Sequence, residues 1–308
     1  MLLLFIGFLV SLFLPMQTAI NTQLKNQVNS PLTAAMISFV IGTIFIFFVA
    51  LFTNTSLTIP NNLLTLNNWW LWLGGLLGAT WITINIYLFT NLGSIQATLM
   101  PLLGQIIMSM IIDHFGLLNS LQQPFDLTRL IGIILVLIGV ILAVYFKETN
   151  QKTTTLSPLK MTLWQCFGVI IGMVIAIQGT INGQFGIALQ SPIKAALFSF
   201  TIGSIVMIIV TLFKERTFSN ILLPIKQKAS PLIWIGGLFG AIYVIIIVIL
   251  VNNFGIGQAV VIGLFGQICG SIIIEHFGLL KAKQSNVKLI QIIGLIIMFG
   301  GIIIIKLL

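Results

Sequence analysis

Amide side chains set inside apolar runs are the groups in this sequence with chemistry to offer. Gln17 and Asn21 stand four apart, so both amides lie on one face of a helix. Gln178 and Asn182 repeat the pair 161 positions later. A carboxamide donates and accepts without carrying charge, so it can hold a polar solute or join two helices. A second set is Pro101 followed by Gly104-Gln105, whose counterpart is Gly263 followed by Gly266-Gln267. Proline or glycine inside a helix interrupts its hydrogen-bond ladder and bares backbone groups to a ligand. Matched interruptions in two halves therefore point to a solute pocket beside Gln105 and Gln267. Close helix packing is the competing reading, and Gly266-x3-Gly270 has the spacing for it.

Three aromatic or amide groups and two acid–imidazole pairs complete the candidates. Trp81 and its counterpart Tyr243 lie too deep in their helices for an interfacial belt, so they are read as lining a pocket or filling a core. Asn85 adds a polar group one turn beyond Trp81, in the first copy alone. Asp113-His114 and Glu275-His276 close their helices just ahead of Gly116 and Gly278. An acid in a last turn opposes the helix dipole, and imidazole titrates near ~6.5, so these four residues are candidates for ion coupling. A charge at the membrane interface with local basic partners is the simpler reading.

Enzyme chemistry has no motif to stand on. The sequence has no Gly-x4-Gly-Lys-Ser/Thr loop, no His-Glu-x2-His and no Ser/His/Asp grouping at a known spacing, so neither enzyme nor cofactor is expected. Cys166 and Cys269 sit in apolar runs, without the spacing of a disulfide framework or a metal site.

The elements that must position these residues are set by the solvent. Of 308 residues, 58% are hydrophobic and only 6% charged, and mean hydropathy is +1.15. A water-soluble domain carries about a quarter charged residues, so the lipid bilayer is the medium. The 14 Lys and Arg against 5 Asp and Glu are scattered over short loops, which excludes a nucleic-acid surface. The first residues lack a basic n-region and a small-residue cleavage site, so they read as a retained span. Apolar runs long enough to cross about 30 Å of hydrocarbon fall at 2–23, 32–53, 69–90, 94–112, 128–146, 161–186, 193–213, 231–251, 256–274 and 289–306. This predicts an all-α integral membrane protein with ten transmembrane helices. A polar linker at 147–160 separates a first domain, 1–146, from a second, 161–308.

The halves are copies. Residues 17–42 and 178–203 agree at 12 of 26 positions with a constant shift of 161. Beyond a one-residue insertion, Gly74-Gly75-x2-Gly78-Ala79 matches Gly236-Gly237-x2-Gly240-Ala241, and Asp113-His114-Phe115-Gly116 matches Glu275-His276-Phe277-Gly278. Five spans is odd, so the second copy enters the membrane from the opposite side. Charge agrees: the loop between the second and third spans has no Lys or Arg, whereas its counterpart carries Lys214, Arg216, Lys226 and Lys228. Summed over the chain, 11 basic residues fall on one side and Arg129, Lys194 and Lys306 on the other, which predicts that both termini lie outside a plasma membrane.

The Gln17-x3-Asn21…Ser30-Pro31…Ser38-Phe39-x2-Gly42 block, its copy from Gln178 to Gly203, and the Gly-Gly-x2-Gly-Ala and Gly-Gln signatures resemble the drug/metabolite transporter superfamily, in particular a fused ten-helix form of its YdcZ-like family. The resemblance spans nearly the whole chain outside the linker. It implies an inverted-repeat, alternating-access secondary transporter. Small multidrug antiporters of that superfamily carry an essential Glu in the first helix, where this chain has only Gln17 and Asn21. A neutral, zwitterionic or amphipathic metabolite or drug-like solute fits such amides better than a permanent cation, with a proton or sodium ion as the possible coupling partner. A non-transporting membrane scaffold is the alternative, and the sequence is silent on oligomeric state.

Overall fold

Each expected crossing has a helix. The computed structural model describes residues 2–65, 67–120, 122–124, 126–145, 157–215, 219–281 and 287–307. Helices α1 (Leu2–Ser11) and α2 (Phe13–Val28) form one apolar span interrupted at Leu12. Pro15 accounts for the break, since it has no N–H to offer the Ser11 carbonyl. Helix α3 (Pro31–Phe52) starts at Ser30, whose hydroxyl accepts from the Thr33 N–H, with Pro31 in the first turn where a missing donor is harmless. Then come α4 (Leu73–Phe115), α5 (Leu127–Tyr145), α6 (Pro158–Ala188), α7 (Pro192–Glu215), the short α8 (Leu223–Lys226), α9 (Gly236–His276) and α10 (Leu289–Leu307). Most of the linker lies outside the described residues, as do the side chains of Asn85 and Glu275.

Helices α4 and α9 each supply two crossings. In α9 the backbone turns at Gly255, whose φ of 82° suits glycine. In α4, between the third and fourth expected spans, no left-handed residue marks a corresponding turn among the described residues. Yet Leu88 and Met100 both lie against Gly168 of α6, and a straight helix would part them by about 18 Å. The direction of α4 therefore reverses between them.

The halves exchange their first spans. Against α2 and α1, the first arm of α9 runs antiparallel, placing Gly236 on Asn21, Gly240 on Gln17 and Leu250 on Gly7. Its second arm runs parallel, with Gly266 on Ser11 and Gly270 on Leu12 and Pro15. The other copy mirrors this. Gly74 meets Asn182, Gly78 meets Gln178 and Leu88 meets Gly168, before Pro101 meets Gly172 and Gly104 meets Val169. At the centre α3 crosses α7, where the Phe39 and Phe200 rings meet tilted at 5.3 Å and Thr43 bonds Ser204 at 2.8 Å. Helices α5 and α10 form a separate antiparallel pair joined at Gly132–Gly301 and Gly139–Gly294.

Contacts between loops sort them onto two faces. On one face Gln23 donates to the Leu280 carbonyl at 2.6 Å, and Glu215 accepts from Ser30 and Thr33. On the other, Lys194 donates to the Thr58 carbonyl at 3.3 Å and Gln184 to the Asn119 carbonyl at 2.8 Å. These are the pairings that ten alternating crossings require.

Candidate functional site

Amides and glycines are the first layer of the inter-half contact. Without a hydrophobic force between helices in lipid, association relies on close packing and hydrogen bonds, and small residues let side chains and backbones approach. The Cβ that any other residue would carry at Gly236 falls on the Asn21 amide oxygen, and at Gly74 on that of Asn182. Both oxygens are buried without a conventional hydrogen-bond partner among the described residues. Each therefore faces a glycine Cα–H, a weak hydrogen bond worth roughly 0.5–1 kcal/mol that recurs in both copies. The Asn21 amide nitrogen donates to Ser38 at 3.2 Å. Gln17 and Gln178, one turn away and half-buried, lie on Gly240 and Gly78 with the amide nitrogen nearest the glycine.

One turn beyond Gly240 the two copies diverge. The Tyr243 hydroxyl and the Gln267 amide meet beside Gly263, where a Cβ would come 3.3 Å from the hydroxyl and 3.8 Å from the amide nitrogen. The substitution pair is legible in the alignment of the halves: where the aromatic is Tyr, its neighbour is Gly. In the first copy Trp81 is half-buried among Leu88, Ile171 and Val174, Pro101 packs by its backbone on Gly172, and Gln105 is buried. The structure thus brings Tyr243, Gly263 and Gln267 together, with Gln17 a turn away, and separates Trp81 into a core cluster.

The acid–imidazole pairs part company as well. His114 and His276 are half-buried and stand edge-on to Phe115 and Phe277 at 4.6 and 4.8 Å. Asp113, only 1% exposed, turns the other way and joins the two halves. Its Oδ2 accepts from the Gly257 N–H at 2.9 Å, capping the arm of α9 that begins after Gly255, and lies 3.5 Å from Nη2 of Arg129. Arg129 also donates to the carbonyl and side-chain oxygens of Gln123 at 2.7 and 2.5 Å, while Gln123 donates to the Phe254 carbonyl at 3.0 Å. Asp126 starts α5 by accepting from the Arg129 N–H and the Thr128 hydroxyl, each at 2.7 Å. These bonds hold the Asp126 carboxyl below its usual range. Gly116, at φ 63°, ends α4 as its position after the His predicts.

Asp113, Arg129, Gln123 and Ser109 line a narrow cleft between the halves, with room for about one water molecule. Sequence reasoning overlooks Arg129, Gln123 and Gly257. One signal was present: a cation in the first turn of α5 opposes the helix dipole and so needs an acid nearby. The second copy has Gln291 at the corresponding position, bonded to the Ala143 carbonyl and the Lys288 N–H, so the cation of the first copy is replaced there by a neutral amide.

Comparison with known proteins agrees with this architecture. The family described as "Putative inner membrane exporter, YdcZ" matches residues 2–142 and again 163–304. No curated protein matches the chain. A crystal structure of a protein 14% identical superposes with a TM-score of 0.62 over 98% of this chain and 96% of that one, which shows the fold. Two matches of one five-span family, covering both halves of a single polypeptide, make this chain a member of the YdcZ family of the drug/metabolite transporter superfamily in its fused ten-span form, a multi-pass membrane transporter.

Proposed function

We propose that this transporter exports a small neutral, zwitterionic or amphipathic solute by alternating access, driven by a proton or sodium gradient. One observation carries the reading: two carboxylates tie the halves together at opposite membrane faces. Asp113 of the first half holds the Gly257 N–H of the second, and Glu215 of the second holds Ser30 and Thr33 of the first. Opening one contact while the other stays shut is what an alternating-access cycle demands. The moving bodies follow packing rather than chain order, with α1 and α2 travelling with α9, and α6 with α4. Glycine-lined contacts between them permit small sliding displacements of packed helices. Gln17, Gln178, Gln105, Gln267 and Tyr243 then provide neutral hydrogen-bonding groups along the path. Membership of a family described as an exporter supports the direction.

Transport should be measured in proteoliposomes with a broad metabolite and drug panel under imposed proton and sodium gradients. At least one solute is expected to move, and Gln105→Ala/Gln267→Ala or Tyr243→Phe to slow it by about 10-fold, the worth of one or two lost hydrogen bonds. If nothing moves under any gradient, the scaffold reading takes its place.

For orientation, we assign the face carrying Lys25, Lys214 and Lys228 to the cytoplasm, following the positive-inside rule. Single cysteines at Lys25, Lys214, Thr58 and Gln190, in a background with Cys166 and Cys269 replaced by alanine, test it. A membrane-impermeant maleimide is expected to label Thr58→Cys and Gln190→Cys from outside intact cells and to spare the other two. The reverse pattern would invert the assignment.

A further inference from the structure

The loop between α7 and α9 is built unlike its counterpart in the first half. Both fold back as short turns onto the first span of the other half, Trp69–Trp72 against α6, and α8 with Pro231–Trp234 against α2. In the first half the loop carries no Lys or Arg, and Trp72 fastens it to Phe185 and Phe198 at 4.9 and 5.7 Å. In the second half Pro224 and Ile233 are the buried anchors, and most residues between them face outward. Ile225 and Leu232 are 63% and 56% exposed, with Lys226 and Lys228 exposed beside them. Backbone bonds close the turn. The N–H groups of Gln227, Lys228 and Ala229 donate to the Leu223, Ile225 and Pro224 carbonyls at 2.9, 3.1 and 2.9 Å, and Lys228 is left-handed at φ 51°.

We propose that this loop seats an anionic phospholipid of the adjoining leaflet, its headgroup phosphate on Lys226 and Lys228 and its acyl chains along Ile225. Charge complementarity selects the anion. From Arg216 to Ile235 the sequence has no Asp or Glu, and the neighbouring Glu215 is engaged by Ser30 and Thr33. Lys25 and Lys214, exposed on the same membrane face, add to the attraction. The apolar residues select a lipid, because a soluble anion would leave Ile225 and Leu232 in water. A zwitterionic lipid would cover those residues but bring no net charge to the lysines. Lysine stems can lie along the apolar surface with the ammonium at headgroup level, so both demands are met in one place.

The test uses the full chain, delipidated in neutral detergent and titrated in native mass spectrometry with phosphatidylglycerol or phosphatidylcholine of identical acyl chains. The first phosphatidylglycerol is expected to bind at least 10-fold more tightly than the first phosphatidylcholine. A lysine near an anionic surface is worth about 5-fold in affinity, so Lys226→Gln/Lys228→Gln should weaken phosphatidylglycerol binding about 25-fold and leave phosphatidylcholine unchanged. Lys226→Arg/Lys228→Arg keeps the charge and should bind as the parent does. Ile225→Asn, with charge untouched, should weaken phosphatidylglycerol about 10-fold. An equal loss of charge outside the loop, Lys160→Gln/Lys194→Gln, is expected to have little effect. Equal affinity for the two lipids, or the same weakening from the Lys160/Lys194 variant as from the loop variant, would overturn the proposal. So would displacement of the lipid by millimolar inorganic phosphate, which would mark a site for a free anion.

Discussion

Valine at Gly237 or at Gly75 is expected to leave little or no folded protein. A Cβ at Gly237 would fall on the Ser38 carbonyl oxygen and 2.8 Å from the Gly42 nitrogen, and at Gly75 on the Ser199 carbonyl oxygen and 2.8 Å from the Gly203 nitrogen. Both obstacles are backbone, which cannot swing aside as a side chain can, so α9 must retreat from α3, or α4 from α7. Overpacking a core side chain already costs about 1–3 kcal/mol, and parting two helices also forfeits the surrounding contacts. Gly300→Val is the control, because a Cβ there meets nothing within 4 Å among the described residues. In detergent, Gly300→Val should elute as the parent does and melt within a few degrees of it, while the other two aggregate or melt far lower. Parent-like melting of Gly237→Val would mean that the α3–α9 crossing is looser than described.

Arg129→Ala should destabilise the protein by about 3–5 kcal/mol, the cost of leaving a buried carboxylate without its cation. Asp113 is almost wholly buried, and its remaining anchor would be the Gly257 N–H. Gln123 would lose its guanidinium partner at the same time, loosening its hold on the Phe254 carbonyl. The double variant Asp113→Asn/Arg129→Gln removes both charges and keeps hydrogen-bonding groups, so it should recover most of the loss. The second copy offers a precedent, since Gln291 stands where Arg129 does in the first. A denaturant titration over the two single variants and the double should therefore yield a coupling of about 1–3 kcal/mol. Additive effects would mean that the two residues act independently.

Much of the fold could be read from the chain because lipid restricts what a polypeptide can do. Backbone polar groups must be satisfied within each segment, so apolar length translates into helices, and the span positions follow. The positions of Ser30-Pro31, Gly116 and Gly255 likewise follow from local backbone chemistry. The reversal within α4 was less legible, since no left-handed residue marks it as Gly255 marks the one in α9. The amide and glycine motifs were visible as separate repeats. That they pack on one another, Asn21 on Gly236 and Asn182 on Gly74, depends on helix faces brought together from distant sequence.

By itself the sequence determined the medium, the number of crossings, the duplication, the inversion and the family resemblance, since each is a property of composition, length or self-similarity. Only the tertiary structure decided which copy packs on which. Gly74 and Gly236 offer the same small surface, as do Asn21 and Asn182, so a repeat cannot say whether a first span docks on its own half or on the other. Packing resolves that degeneracy in favour of exchange. It also decided what joins Asp113 besides Arg129, a local basic partner of the kind the sequence reading expects: the Gly257 N–H of the other half, because a capping contact is made by backbone position and not by residue type.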